Sequence, residues 1–435
     1  MGDRWVWQNL RLLDPATGRD EVGDVAVWDG HIAALGPGAG TQLPAEATRY
    51  DGTGLWAAPA FIDLGTRLQA PEQDGFASWT KSLAAAAAGG YALLAAAPLA
   101  PATLTHAEKV QQWIAAGAGR VRPLVQGCRG PSSSGAARLS ELGLLKQSGA
   151  VACVDFADRA VGHNLLDDGQ PARRVAEYAR QFGLALWLRP EHSSSRAGAG
   201  MHESARQLSL GLDPWPASSE TVAVSRAIAL CQESGVRLHL HRLSSAASLP
   251  LLRHAKGQGL PVTADVSLHH LHLTHADGAD FDVRYRFDPP LRTAADRDAL
   301  RAGLAAGDID AVSSGHHALE PDMRRAPWAE TPPGAHALRH AFAALRPLVP
   351  DTLSPLELVR RLSHAPAQIL GLRTHGHLAV SKPAQLVLLN PDAEVAQPEL
   401  TTLGLMPPLP LRGRVEACYS APDVRQTGCR PASEE

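Results

Sequence analysis

Phe61-Ile62-Asp63-Leu64-Gly65-Thr66-Arg67-Leu68 is the stretch on which the fold turns. It follows Ala58-Pro59-Ala60 and runs from apolar, β-prone residues to a polar end, with Pro71 in the loop beyond. That order reads as a buried strand. Strand-like runs recur at 91–97, 122–126, 151–155, 185–188, 237–243, 261–266 and 310–314. Segments of helical period, such as 219–234 and 296–306, lie between them. Strands alternating with helices predict a parallel sheet. About eight strands over roughly 300 residues suit a closed (β/α)8 TIM-type barrel, here 59–374.

Outside the barrel the pattern is antiparallel β. Val25-Ala26-Val27-Trp28 and His31-Ile32-Ala33-Ala34-Leu35 flank Asp29-Gly30, a strong hairpin signal. After residue 375, Gln385-Leu386-Val387-Leu388-Leu389 and Gly413-Arg414-Val415-Glu416-Ala417-Cys418-Tyr419 restore that pattern. Each end is too small to bury a core by itself. The expectation is one small β-sandwich domain made from 1–58 and 375–435, with residues 421–435 as a frayed tail.

Composition excludes some functions. The 435 residues are 45% hydrophobic and 20% charged, with a net charge of −3, which gives no general attraction for nucleic acid or a membrane. Five scattered cysteines show no zinc or redox spacing and suit a reducing cytoplasm. Met1-Gly2-Asp3-Arg4-Trp5 lacks the order of a signal peptide.

Further motifs appear in order along the chain. They are Ala84–Ala88 before Gly89-Gly90-Tyr91, Gly149-Ala150-Val151-Ala152, Gly200-Met201-His202-Glu203, and Leu260-Pro261-Val262-Thr263-Ala264-Asp265-Val266 before His269-His270. Asp288-Pro289-Pro290-Leu291-Arg292 and Ala365-Pro366-Ala367-Gln368-Ile369-Leu370-Gly371 follow. With the opening stretch, these resemble the amidohydrolase superfamily, and dihydroorotases in particular, over nearly the whole chain.

The resemblance implies a zinc-dependent cyclic amide hydrolase. Such chemistry needs a metal-bound hydroxide, a Lewis acid and a proton-moving carboxylate at the barrel mouth. In the family, paired histidines on strand one, an aspartate on strand four, single histidines on strands five and six and an aspartate on strand eight form the inner shell. Aligned by motif, the strand-one pair reads Gly65 and Arg67, and the strand-five and strand-six histidines read Arg189 and Arg242. The strand-eight aspartate reads Gly315, and only the strand-four ligand survives, as Asp155. The family's substrate-binding groups read Gln69, Leu99 and Asp288. Arginine keeps its proton and has no lone pair for a metal.

These substitutions predict a pseudoenzyme without zinc or other cofactor. Asp155, His239, His241, His269, Asp288 and His316 would then line a vestigial pocket, with the three arginines pairing with Asp155 and Asp288. Such a pocket would be electropositive. The resemblance extends to the catalytically silent dihydroorotase-like proteins that accompany bacterial aspartate transcarbamoylase. It implies a noncatalytic subunit of pyrimidine biosynthesis, with the transcarbamoylase catalytic chain as partner and a homodimer inside a hetero-oligomer. Two alternatives stay open. One is an active amidohydrolase with a metal site rebuilt from His239, His241, His269 and His316; the other is an anion-binding regulatory module.

Overall fold

The computed structural model describes residues 4–42, 44, 46–68, 77–98, 104–131, 137–155, 169–192, 200–278, 280–402 and 405–420. Five strands precede the quoted stretch: β1 (Arg4–Asp14), β2 (Arg19–Trp28), β3 (His31–Gly36), β4 (Thr48–Asp51) and β5 (Trp56–Pro59). The hairpin joining β2 to β3 turns at Asp29 and Gly30, with φ of 48° and 74°. Both central residues are thus left-handed, as the tightest two-residue turn requires.

The quoted stretch is β6 (Phe61–Leu68). It is followed by β7 (Tyr91–Pro98), β8 (Val121–Gln126), β9 (Ala152–Asp155), β10 (Ala185–Leu188), β11 (Leu238–Leu240), β12 (Val262–Ser267) and β13 (Ala311–Ser313). These form one eight-stranded sheet, each strand beside the next in sequence. The outer layer includes α1 (Ala77–Ala88), α2 (Ala107–Ala116), α3 (Leu142–Gln147), α4 (Gly169–Gln181), α5 (Ser218–Ser234), α6 (Ser248–Gly257) and α7 (Ala294–Ala306). Helix α7 begins with a capping box between Thr293 and Asp296 and ends at left-handed Gly307.

Two backbone bonds at Arg67 close the ring: its N–H donates to the His316 carbonyl at 3.0 Å, and its carbonyl accepts from Ala318 N at 3.1 Å. Ile62, Leu64, Leu93, Ala95, Leu124, Val154 and Trp187 share one buried core with Ile369 and Leu370. Strand β11 ends sooner than its apolar pattern predicts, because Arg242 is left-handed at φ 59°.

The two chain ends meet. Strands β14 (Leu386–Glu394) and β15 (Arg412–Tyr419) join the first five in a seven-stranded sheet ordered β15-β14-β5-β1-β2-β3, with β4 beside β1. Trp5 stacks on Tyr419 at 4.5 Å, and Trp7 Nε1 donates to the Tyr419 hydroxyl at 3.2 Å. Among the described residues, no helix is long and apolar enough to cross a membrane.

Candidate functional site at the barrel mouth

The substituted positions lie at neighbouring strand ends. Gly65 sits at a register shift between β6 and β7, with φ 74°. A Cβ on it would fall 2.3 Å from His241 Nε2. Gly315 follows β13 at φ 69°, and a Cβ there would lie 2.7 Å from Ser267 Oγ and 3.2 Å from His269 Nδ1. Only glycine occupies such a backbone without strain, and at both places another side chain already holds the adjoining space. Arg242 follows β11, and its Nη2 donates to the Gly65 carbonyl at 3.1 Å. Arg189 follows β10 and pairs with Glu191 at 2.8 Å and with Asp288. Asp155 is placed by its backbone, opposite Leu188. The Asp155 side chain, and Gln69 and Leu99, lie outside the described residues.

The hub of the site is a residue absent from the expected set. Asp265, fully buried on β12, accepts at Oδ2 from His239 Nε2 at 2.9 Å and His241 Nδ1 at 2.6 Å. Its Oδ1 accepts from Arg242 N at 3.1 Å and Ser313 Oγ at 2.9 Å. Burial alone would raise its pKa, but the two histidines outweigh it and hold the carboxyl below its ordinary range. Burial dominates for His241 and pushes it down to about 4, so the ring is neutral. The second nitrogen of His239 faces Thr263 Oγ1 at 2.9 Å, and Trp187 covers that ring at 4.4 Å.

Asp63 forms a second buried knot. It accepts from Ser314 N at 2.7 Å, Ser314 Oγ at 2.8 Å, and the Thr66 hydroxyl. This ties β6 to the chain leaving β13. Burial raises the Asp63 pKa. Both carboxylates were visible within apolar strands, where a buried acid requires partners; that was the available signal.

His316 reaches the helical layer, where its Nδ1 accepts from Ala337 N at 3.2 Å and Ser82 Oγ of α1 lies 3.5 Å from its Nε2, while the charge of Arg242 acts on it from the barrel mouth. It lines a separate cavity of about 450 Å³ with Ala85, His336, Leu338, His340 and Pro398. Its neighbour His317, not anticipated, faces the charges of Arg67, Arg242 and Asp288 and is held neutral by burial. His269 is fully buried against Phe287, with centroids 4.5 Å apart.

Arg189 pairs with Glu191 and with Asp288, and the charges of Asp265, Asp63 and Asp288 act on Arg242. These acids offset part of the positive charge among the described side chains. Glu191, unnoticed in the sequence, supplies part of that offset beside Arg189.

Losing the aligned ligands does not remove every metal donor. His239, His241 and Asp265 present ligand atoms within 4.8 Å of one another. Histidine and aspartate are suitable donors, but a catalytic zinc needs lone pairs about 2.0–2.2 Å away and an open position for water. Here the imidazole nitrogens facing Asp265 serve as hydrogen-bond donors to one shared oxygen. Its other oxygen is occupied by Arg242 N and Ser313 Oγ. The three residues form a hydrogen-bonded triad, and the same three are the candidate metal site among the described residues.

Burial of neutral histidines makes a pH prediction. His241 and His270 both lie at about 4, below the ordinary value of 6.5. Between those values the unfolded chain binds more protons, so this contribution to stability is present above 6.5 and is lost as pH falls toward 4. Denaturant midpoints measured from pH 7 to pH 4.5 should decline through that window. A flat profile would contradict neutral burial of these rings.

No family model matches the chain. A dihydroorotase-like protein of Pseudomonas aeruginosa is 36% identical over 390 residues, covering 88% of this chain and 89% of that relative. A dihydroorotase-like protein of Pseudomonas putida is 35% identical, covering 89% and 90%. A dihydroorotase of Anaeromyxobacter dehalogenans is 35% identical over 410 residues, covering 91% and 90%. Among solved structures, a D-hydantoinase superposes with a TM-score of 0.77 at 21% identity, covering 95% of this chain and 93% of its own. The L-hydantoinase (dihydropyrimidinase) of Arthrobacter aurescens gives 0.78 at 19%, covering 99% and 96%. At these identities the solved structures speak for the fold alone.

Proposed function

The chain belongs to the dihydroorotase family of the amidohydrolase superfamily, and from that premise we propose that it is a noncatalytic member acting in pyrimidine biosynthesis. In this reading it is a cytoplasmic structural subunit that assembles with the aspartate transcarbamoylase catalytic chain, as a homodimer within a larger hetero-oligomer. The observation that carries loss of catalysis is the overlap of His241 with the Cβ position of residue 65. Where the family places a metal-binding histidine, this chain has a left-handed glycine whose side-chain space is taken. Arg189 and Arg242 are directed to Asp288 and to the Gly65 carbonyl, which supports a structural role for both. Zinc is then absent, and no chemical step is assigned to these residues.

The partner is proposed from the sequence resemblance to silent dihydroorotase-like chains; two relatives bear the name dihydroorotase-like protein. A second reading is an active cyclic amidohydrolase with a rebuilt metal site. It is favoured by the proximity of His239, His241 and Asp265 and by relatives named dihydroorotase.

One preparation separates the two. The purified chain is expected to carry no stoichiometric zinc, to leave dihydroorotate and carbamoyl aspartate unconverted, and to co-elute with the transcarbamoylase catalytic chain when both are expressed. About one zinc per chain together with turnover would establish the active reading instead. Separate elution would remove the assembly role.

A further inference from the structure

The cavity of about 450 Å³ beside His316 is framed by three parts of the chain. They are α1, the stretch from His316 to His340 beyond β13, and Pro398-Glu399 between β14 and β15. Small-molecule sites commonly enclose about 300–1,000 Å³. Three imidazoles line this one. The His316 and His336 rings are 5.1 Å apart, centre to centre, and meet at 61°. His316 Nδ1 accepts from Ala337 N at 3.2 Å, so its proton is on Nε2, where Ser82 Oγ at 3.5 Å is at the limit of a hydrogen bond. His336 Nε2 lies 2.6 Å from the Leu319 carbonyl, the shorter of its two contacts with Leu319, so it donates there and keeps a lone pair at Nδ1. Among the described residues the His340 ring has no hydrogen-bond partner. Burial holds all three rings neutral, with His340 pushed down to about 4.

The formal charges of the cavity wall are therefore Arg339 and Glu399, one of each sign. Both are exposed, and among the described residues neither is in an ion pair, with the other or with any third group. Opposite charges that line one cavity without meeting leave room between them for a molecule that carries both.

We propose that this cavity binds a small zwitterion of the free amino-acid class, with its carboxylate on Arg339, its ammonium on Glu399 and a polar side chain among the histidines. A guanidinium is suited to grip a carboxylate through two parallel hydrogen bonds. Neutral imidazoles offer N–H groups and lone pairs together, which matches an amide or hydroxyl that both donates and accepts. A simple anion would meet Glu399 unfavourably, and a simple cation would meet Arg339. Because α1 belongs to the barrel layer and Glu399 to the connection between β14 and β15, the bound molecule joins the barrel to the sheet built from the chain ends.

The common free amino acids, each at about 10 mM, are screened for a thermal shift of the full chain. At least one with an amide or hydroxyl side chain should raise the melting temperature by about 2–4 °C. Titration calorimetry with that amino acid then gives a Kd. Arg339→Met and Glu399→Gln should each weaken it about tenfold or more, the loss of one charge-assisted hydrogen bond. The N-acetyl derivative and the carboxamide of the same amino acid, each lacking one charge, should lose as much against wild type. Both substitutions fall at exposed positions, and the unliganded variants should melt within about 2 °C of wild type. Absence of a shift with every amino acid overturns the proposal. So does a Kd that both variants retain, or equal binding of the N-acetyl derivative. Should Arg339→Met fail to fold, Glu399→Gln decides alone: weakened binding supports the site and an unchanged Kd overturns it. None of these readouts depends on zinc, turnover or the transcarbamoylase chain, so the site and the assembly role stand or fall separately.

Discussion

Asp265→Ala should cost about 4–5 kcal/mol of folding stability, the largest loss expected from any single substitution at the barrel mouth. The carboxylate collects four hydrogen bonds within one buried site: from His239, His241, the Arg242 amide and the Ser313 hydroxyl. Alanine leaves each of those buried donors without its acceptor. An orphaned buried donor costs about 1–3 kcal/mol. It also removes a negative charge beside Arg242, leaving a buried cation less well compensated. Asp265→Asn preserves shape and one acceptor oxygen, but sets an amide N–H2 against groups that presently donate. Either His241 changes tautomer or one contact is lost, so about half the alanine cost is expected. Urea denaturation of the two variants measures both numbers. A loss below about 1 kcal/mol for alanine would show that the hub is not structural.

The barrel was legible because its signal is periodic and repeated. Apolar runs at 91–97, 122–126 and 185–188 each fall on a strand, with ends that agree closely with the observed bounds. The main disagreement has a local cause. The run at 237–243 continues in composition past Leu240, but the backbone turns left-handed at Arg242. Nothing in an apolar pattern records a φ angle. The hairpin at Asp29-Gly30 was readable for the opposite reason, since that dipeptide itself demands the left-handed turn.

The site was legible by subtraction and obscure in what replaced it. Gly65, Arg67, Arg189, Arg242 and Gly315 stand at positions fixed by flanking motifs, so the altered ligands could be named. What fills the space depends on distant parts of the chain. His241 reaches the side of Gly65 from another strand, and Ser314 reaches Asp63 across 251 residues. Strict alternation could not assign His316 and His317, because β13 ends at Ser313 and both histidines lie beyond it. After Gly315 turns the chain, His316 enters the helical layer and His317 faces Arg67 and Arg242. Charge balance was obscured similarly: Arg189 was conspicuous as a replaced ligand, whereas Glu191 was conspicuous only once the two were in contact.

Restoring the family's residue at position 65 is expected to damage this protein. Gly65→His should cost about 2–5 kcal/mol, the sum of a left-handed residue with a Cβ, about 1–2 kcal/mol, and overpacking, about 1–3 kcal/mol. The contact is specific: the new Cβ would fall 2.3 Å from His241 Nε2, and the ring has no free direction of retreat while Nδ1 is held by Asp265 at 2.6 Å. A double-mutant cycle tests that specificity. His241→Ala is itself destabilising, because Asp265 loses a donor, but it empties the space that residue 65 needs. Gly65→His should therefore cost less in the His241→Ala background, with a coupling of about 1–2 kcal/mol. Strictly additive losses would mean that backbone strain alone opposes the histidine. If Gly65→His instead matched wild-type stability and acquired zinc, the interlock between the two strands would be refuted. The predicted sign separates a metal site that merely lost its ligands from one whose volume has been taken over: the first gains by recovering a histidine, and the second must first give up His241.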